Sequence, residues 1–371
     1  MRSSSLGASL LTTLVAAIAP SGLAQNIPGY IQTNLVSNIP GLAANTDPNL
    51  QNPWGISFSA TSFFWVSDNG TGLATLYNGA GAPQGLVVTI PAPGGGTSAP
   101  TGQIFNSNNS AFNGDLFIFA SEDGTITGWR GALGSNAETL FDNSANGAIY
   151  KGIAIASVSS KTYLYATNFS SGQIDVFAQS GAPALTGTFT DPNLPSGHAP
   201  FNVQNLNGKL YVTYAEQSGG TDEVDGPGLG FVDIFTLNGD FVQRVASQGA
   251  LNAPWGLALT PTGWGLPAGD LLVGNFGDGK INVYDPSGTF VGTIADASDN
   301  PIANDGLWGL TFGNGGNGGS PTSLYLTAGL NDEADGLFAR IDLPEPAAWA
   351  LFVASPLLLV RRRSVLVCRT A

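Results

Sequence analysis

Charge and sulfur are what this sequence has least of. Of its 371 residues 10% are charged, and it holds one cysteine, one histidine and one methionine. The cysteine, Cys368, stands at the extreme C-terminal end, which excludes an intramolecular disulfide and a cysteine nucleophile in the body of the chain. With His198 as the sole histidine, a histidine-cluster zinc site is excluded, and a Ser/His/Asp triad would depend on this one residue. Basic residues are scarce too: between Gln25 and Leu343, 7 Lys and Arg stand against 25 Asp and Glu. Such a body repels a phosphate backbone, so nucleic-acid binding is excluded. Long amphipathic helical patterns are nearly absent.

What is present is 51 Gly, 23 Pro, 10% aromatic residues and many Asn, Ser and Thr, a mixture suited to short strands joined by many turns. The same strand opening recurs as Asn52-Pro53-Trp54-Gly55-Ile56, Ala253-Pro254-Trp255-Gly256-Leu257 and Gly306-Leu307-Trp308-Gly309-Leu310. Ala199-Pro200-Phe201-Asn202-Val203 is a looser copy, and Thr101-Gly102-Gln103-Ile104 and Lys151-Gly152-Ile153-Ala154 fill the gaps. Six openings at a spacing of roughly 50 residues belong to a propeller. After each opening comes a strand, a Gly turn and a second strand, as in Trp65-Val66-Ser67-Asp68 before Gly72-Leu73 and Leu272-Val273-Gly274-Asn275 before Gly279-Lys280-Ile281. The expected architecture is an all-β, six-bladed β-propeller over 25–343, with about four antiparallel strands per blade. The early strand Tyr30 to Val36 is expected to pair with the last blade and close the ring, removing an open sheet edge.

The two ends read as addresses. Residues 1–24 carry Arg2, an apolar run from Leu6 to Ala19 and a small-residue cleavage site at Gly22-Leu23-Ala24, the pattern of a signal peptide. No cysteine follows that site, which argues against a lipoprotein. Residues 344–371 begin with Pro344-Glu345-Pro346, continue through an apolar stretch from Ala347 to Val360 and then carry Arg361-Arg362-Arg363, which resist translocation. The stretch is shorter than the roughly 20 residues of a full span, as suits a transient membrane anchor. This arrangement resembles the PEP-CTERM sorting signal, and the resemblance implies recognition and processing by a membrane-embedded exosortase in a bacterium that makes extracellular polysaccharide. The body resembles an uncharacterised family of secreted bacterial NHL-like propellers, many of which carry that tail. The runs that carry the likeness are Asp47-Pro48-Asn49-Leu50-Gln51-Asn52-Pro53-Trp54-Gly55, Gly274-Asn275-Phe276-Gly277-Asp278-Gly279 and Asn331-Asp332-Glu333-Ala334-Asp335-Gly336. The likeness implies the fold and export to the cell surface or beyond, and supplies no activity.

Function has to be sought at a mouth of the central channel. If the second strand of each repeat runs toward that mouth, Asp68, Glu122, Asn168, Glu216, Asn275 and Asn331 converge there, an oxygen ring that suits Ca²⁺ or, alternatively, a set of turn formers bonding their own backbone. Asn331, Glu333 and Asp335 partly echo a calcium loop. The insertion Ala215 to Gly230, with Glu216, Asp222, Glu223 and Asp225, is the first choice for a loop that grips a partner. His198 falls in an inter-blade loop in register with Gln51 and Asn252. Trp54, Trp255 and Trp308 share one repeat position and are expected to pack between blades, leaving Trp264 as an exposed aromatic for stacking. Two function classes stay open: an exported binding module for matrix polysaccharide or a surface protein, and a Ca²⁺-dependent hydrolase or lactonase-like enzyme at the channel.

Overall fold

The Gly-punctuated strand pairs form, and consecutive strands build small antiparallel sheets in a computed structural model that describes residues 26–344. The signal segment and the sorting tail from Glu345 onward, with Pro346 and Arg361, Arg362 and Arg363, lie outside the described residues. The innermost strands are Pro53–Ser57, Pro100–Phe105, Tyr150–Val158, His198–Leu206, Pro254–Leu259 and Leu307–Phe312. Each touches the next in this order, and the last touches the first, so six blades close around one axis.

Closure is made by the strand Asn26–Ser37. Its second half pairs antiparallel with Asp335–Asp342, from Ile31 opposite Asp342 to Ser37 opposite Leu337, and so becomes the outer strand of blade 6. Its first half runs parallel to the outer strand of blade 5, with Asn26 opposite Thr293 and Ile27 opposite Ile294. The expected ring closure is thus observed, and it stitches two blades at once.

Inner strands approach closely because the residue facing the next blade carries no side chain. A Cβ on Gly256 would lie 2.4 Å from the Trp308 carbonyl oxygen, and one on Gly309 2.7 Å from that of Trp54. In blade 4 Asn202 takes this place and donates its Nδ2 to the Trp255 carbonyl at 2.8 Å. Between blades lie separate apolar cores, such as Phe64, Val66 and Tyr77 against Tyr325 and Phe338, and Trp65 and Ala74 against Phe117 and Trp129. Fully burying side chains of this kind contributes about 1.5–3 kcal/mol each, so stability comes from blade contact and ring closure with no disulfide.

Blade 3 departs from the expected four strands and has three, Tyr150–Val158, Lys161–Asn168 and Gln173–Ala178. The segment that follows holds Pro183, Pro192 and Pro195, which cannot donate to a ladder. It attaches to the neighbouring blade instead, with the backbone N–H groups of Gly187 and Phe189 donating to the carbonyls of Asn238 and Gly239. Trp264 is a second departure. It is fully buried, its ring centre 4.7 Å from that of Tyr30 at a tilt of 41° and set edge-on to Phe312, while its carbonyl accepts the Tyr30 hydroxyl. The loop that carries it folds under the closing strand, so the indole is not a platform for a sugar.

Candidate functional site

The residue just before each spacing glycine, or before Asn202, faces the channel axis: Trp54, Thr101, Lys151, Phe201, Trp255 and Trp308 around the six blades. The aromatic members fill the channel. Trp54 and Trp308 stack at 3.4 Å, Trp255 stands edge-on to both, and Phe276 stacks on Trp308 at 4.3 Å. Trp308 donates Nε1 to Asn52 and Trp255 donates Nε1 to the Lys151 carbonyl. These tryptophans are buried against one another on the axis, apart from the cores between blades where they were expected, and their packing plugs the channel.

Lys151 is the charged member of this ring, a cation where four other blades place an aromatic ring and blade 2 places Thr101. It is 2% exposed. Its Nζ lies 2.7 Å from Glu122 Oε1 and 3.3 Å from Glu223 Oε2, and 5.2 Å from the centre of the Trp54 ring. Burial works against its charge, but the two carboxylates outweigh this and raise its pKa, so the ammonium stays protonated. Burial raises the Glu223 carboxyl above its usual range, against the pull of Lys151. Asn69 holds the other oxygen of Glu122 at 2.9 Å. Glu223 arrives from the insertion, whose strand Asp222–Val224 folds back on Glu216–Ser218 and lays its carboxylate over the plug. Glu223 belongs to the acidic insertion expected to grip a partner, whereas Lys151 was not singled out as a site residue from the sequence. The signal for Lys151 was its register, one residue before Gly152.

Beside this ion cluster opens a cavity of about 290 Å³ whose walls include Asp225, Phe276, Asp305, Asp332 and Glu333. Asn331, Asp332 and Glu333 all have positive φ, 55°, 52° and 64°, a backbone region that Asn and Asp tolerate and Glu adopts only when held there. The turn aims Glu333 inward. Its Oε1 is buried without a hydrogen-bond partner. Burial, and then the nearby Glu223 and Glu122, push its pKa up to about 7. Among the described residues no three His, Cys, Asp or Glu side chains come together closely enough to hold a metal ion. The carboxylates are spread around the cavity, a distribution that suits an extended organic cation.

The other residues singled out from the sequence fall into four groups. Asp225 and Glu333 line the cavity, and Asp222 is exposed on the same insertion. His198 and Glu216 face each other across the base of the insertion, with the imidazole edge-on to Phe231 at 4.9 Å. Asp335 is occupied, accepting from Asn331 and Asn38 at 2.7 Å each. Asp68, Asn168 and Asn275 share one register, opposite Pro53, Tyr150 and Pro254, and are buried. Asn168 donates to Asp175, and Asn275 to Asp278 and the Ala250 carbonyl, so these two tie the turns of their blades. The ring expected from six strand ends does not form as a unit, because Glu122, Glu216 and Asn331 lie beyond that register and the side-chain direction alternates along a strand.

Asp68 is fully buried and neither carboxylate oxygen has a partner. Burial raises its pKa well above the usual range. An acid whose pKa rises on folding stabilises fully below its unfolded value near 4 and loses that contribution as pH climbs toward the folded value. Asp68→Asn, which places there the residue that blades 3 and 5 use, is expected to stabilise the protein by about 1–3 kcal/mol at pH 8, with the gain shrinking toward pH 4. Thermal melts at the two pH values check this; coincident curves for the two proteins at pH 8 would contradict it.

No protein-family model matches the chain. Uncharacterized protein R648 of Acanthamoeba polyphaga mimivirus is 31% identical over 346 residues, covering 87% of this chain and 83% of the viral protein. Uncharacterized protein L690 of the same virus is also 31% identical over 346 residues, covering 87% and 88%. Among solved structures, a streptogramin B lyase superposes with a TM-score of 0.50 at 12% identity, over 85% of this chain and 98% of that one. At that identity the likeness speaks to the propeller fold alone.

Proposed function

This chain belongs to the family of the uncharacterized mimivirus proteins R648 and L690, and we propose that it is a binding module that grips a positively charged partner at the channel mouth rimmed by its insertion. The observation that carries the reading is the cavity walled by Asp225, Asp305, Asp332 and Glu333 beside Phe276. The one cation beside it, Lys151, is already neutralised by Glu122 and Glu223. Five of the seven basic side chains of the body are ion-paired, so among the described residues the acidic surplus of this mouth has little counter-charge to draw on. Carboxylates around an aromatic wall favour an ammonium or guanidinium group.

The terminal sequence signals support export, transient anchoring and release by an exosortase, which would place the partner at the cell surface or in the extracellular matrix. Basic side chains of a surface protein are the ligand class that fits the charge of the mouth. A neutral matrix polysaccharide fits it less well.

Calorimetric titration of the full chain with tetralysine, and separately with Ca²⁺, tests the reading. Tetralysine is expected to bind saturably, to weaken with salt, and to lose about ten-fold in affinity when Asp225→Asn and Asp305→Asn are combined. Binding should also strengthen as pH rises through about 7, where Glu333 gives up its proton. Stoichiometric Ca²⁺ binding that the same substitutions abolish, without tetralysine binding, would favour the metal-dependent alternative. No saturable binding of either would remove the acidic mouth as a site.

A further inference from the structure

Blade 3 lacks the fourth strand that the other blades carry at the rim, so its third strand, Gln173–Ala178, is left as the sheet edge. The third strands of blades 1, 2, 4 and 5 are covered: Leu73–Tyr77, Thr125–Trp129, Phe231–Phe235 and Ile281–Tyr284 are buried, apart from Leu73. In Gln173–Ala178 no residue is fully buried, and Ile174, Val176 and Phe177 keep part of their apolar surface exposed. The ladder shows which backbone groups face outward. The Gln179 N–H donates to the Thr162 carbonyl at 2.8 Å, and bonded pairs recur at every second residue, so Phe177, Asp175 and Gln173 bond inward to Leu164, Ala166 and Asn168. Ile174, Val176 and Ala178 therefore turn their N–H and C=O groups outward, and among the described residues no strand meets them.

Sheet edges are commonly blunted by brevity, bulges, charge or a covering segment. The outer strand of blade 1 is two residues long, and those of blades 2 and 4 are bulged against their neighbours. The closing strand covers the edge of blade 5 and, bulged itself, forms that of blade 6. Gln173–Ala178 has none of these devices: its six pairs run in unbroken register, and it holds no lysine, arginine or proline. It is also complementary to itself. In an antiparallel pair about a two-fold axis at Val176, Ile174 of one copy stands opposite Ala178 of the other, a large side chain against a small one, and Asp175 stands opposite Phe177. No like charges face each other directly. The Asp175 carboxylate is already engaged, accepting from Tyr150 and Asn168. We propose that this edge pairs with the same strand of a second copy, in a two-fold dimer where each chain supplies the fourth strand that the other's blade 3 lacks. The surface is separate from the cation site at the channel mouth, and the proposal does not rest on that reading.

Sedimentation velocity of the full chain over a concentration series tests it, with dimers expected to grow in as concentration rises. Val176→Pro removes an N–H that points outward, so it leaves the ladder within the blade intact. It should weaken dimerisation about thirty-fold, because the two-fold axis deletes one bond from each copy. Asp225→Asn, at the acidic mouth, should leave dimerisation unchanged. A second variant keeps the edge whole: Val176→Cys in a Cys368→Ser background should join into a disulfide-linked dimer on mild oxidation, since Cα atoms of a bonded pair lie about 5.5 Å apart, within disulfide reach. Asp222→Cys in the same background, exposed on the insertion, should cross-link far more slowly. A chain that stays monomeric at every concentration would overturn the proposal. So would a dimer that survives Val176→Pro, a dimer lost with Asp225→Asn, or cross-linking no faster at position 176 than at 222.

Discussion

Replacing Lys151 by Met is expected to cost about 3–5 kcal/mol of stability, a large fraction of what holds a domain folded. The cost does not come from lost attraction alone. Glu223, with 9% of its side chain exposed, would be left as a buried carboxylate whose cation has gone, and Glu122 would lose the same partner. Removing one member of a buried ion group is destabilising because the others stay desolvated, whereas removing all of them can be neutral. Lys151→Met combined with Glu122→Gln and Glu223→Gln should therefore recover most of the loss. The recovered protein would carry an apolar side chain in the register where blades 1, 4, 5 and 6 place Trp54, Phe201, Trp255 and Trp308. Denaturant unfolding of the single and triple variants measures both terms. A triple variant no more stable than Lys151→Met would mean that the lysine stem is needed for packing against Trp54 and Phe169, and that the charge cluster contributes little.

The sequence carried the architecture further than the site, and the reasons are physical. A propeller repeats its constraints. The close approach of inner strands places a glycine such as Gly55, Gly256 or Gly309 in five of the six blades, with Asn202 in its place in blade 4, and the Gly turn after Asp68 or Asn275 recurs with it, so the period is written several times over. The closing strand was legible because a ring of six openings leaves one strand unpaired at each end of the chain. Blade 3 broke the pattern where three prolines withdrew donors, which the repeat alone did not reveal.

The site is written once, and it is assembled from distant segments. Lys151, Glu122, Glu223 and Glu333 come from three blades and an insertion, and meet because the ring brings them to one axis. Polar strand ends were a sound guide to the correct face but not to side-chain direction. Asp68, Asn168 and Asn275 turn into their own blades, while Glu122, one residue past the equivalent register, reaches the axis. Trp264 was misjudged because its loop has no repeat partner, and only the fold shows Tyr30 and Phe312 around it.

Deleting Asn26–Ser37 is expected to abolish cooperative folding. The deletion removes the fully buried Val36 and the nearly buried Tyr30 and Leu35, worth about 1.5–3 kcal/mol each. It also exposes the ladder edge of Asp335–Asp342, an invitation to aggregation. Because the closing strand runs antiparallel to Asp335–Asp342, with Ile31 opposite Asp342, it could as well follow that strand in the chain. A circular permutant that joins Pro344 to Asn26 through a short Gly-Ser linker should therefore fold. New termini at Gly95 suit the design, since Gly94, Gly95 and Gly96 have nothing within 4 Å of a Cβ position. The permutant is expected to unfold in a single transition with a midpoint within a few degrees of the parent, while the deletion variant shows no cooperative transition and is recovered as aggregate. A deletion variant that melts like the parent would show that five complete blades and an open sixth are stable without the closing strand. A permutant that fails while the parent folds would show that order along the chain, and not contact in the ring, decides closure.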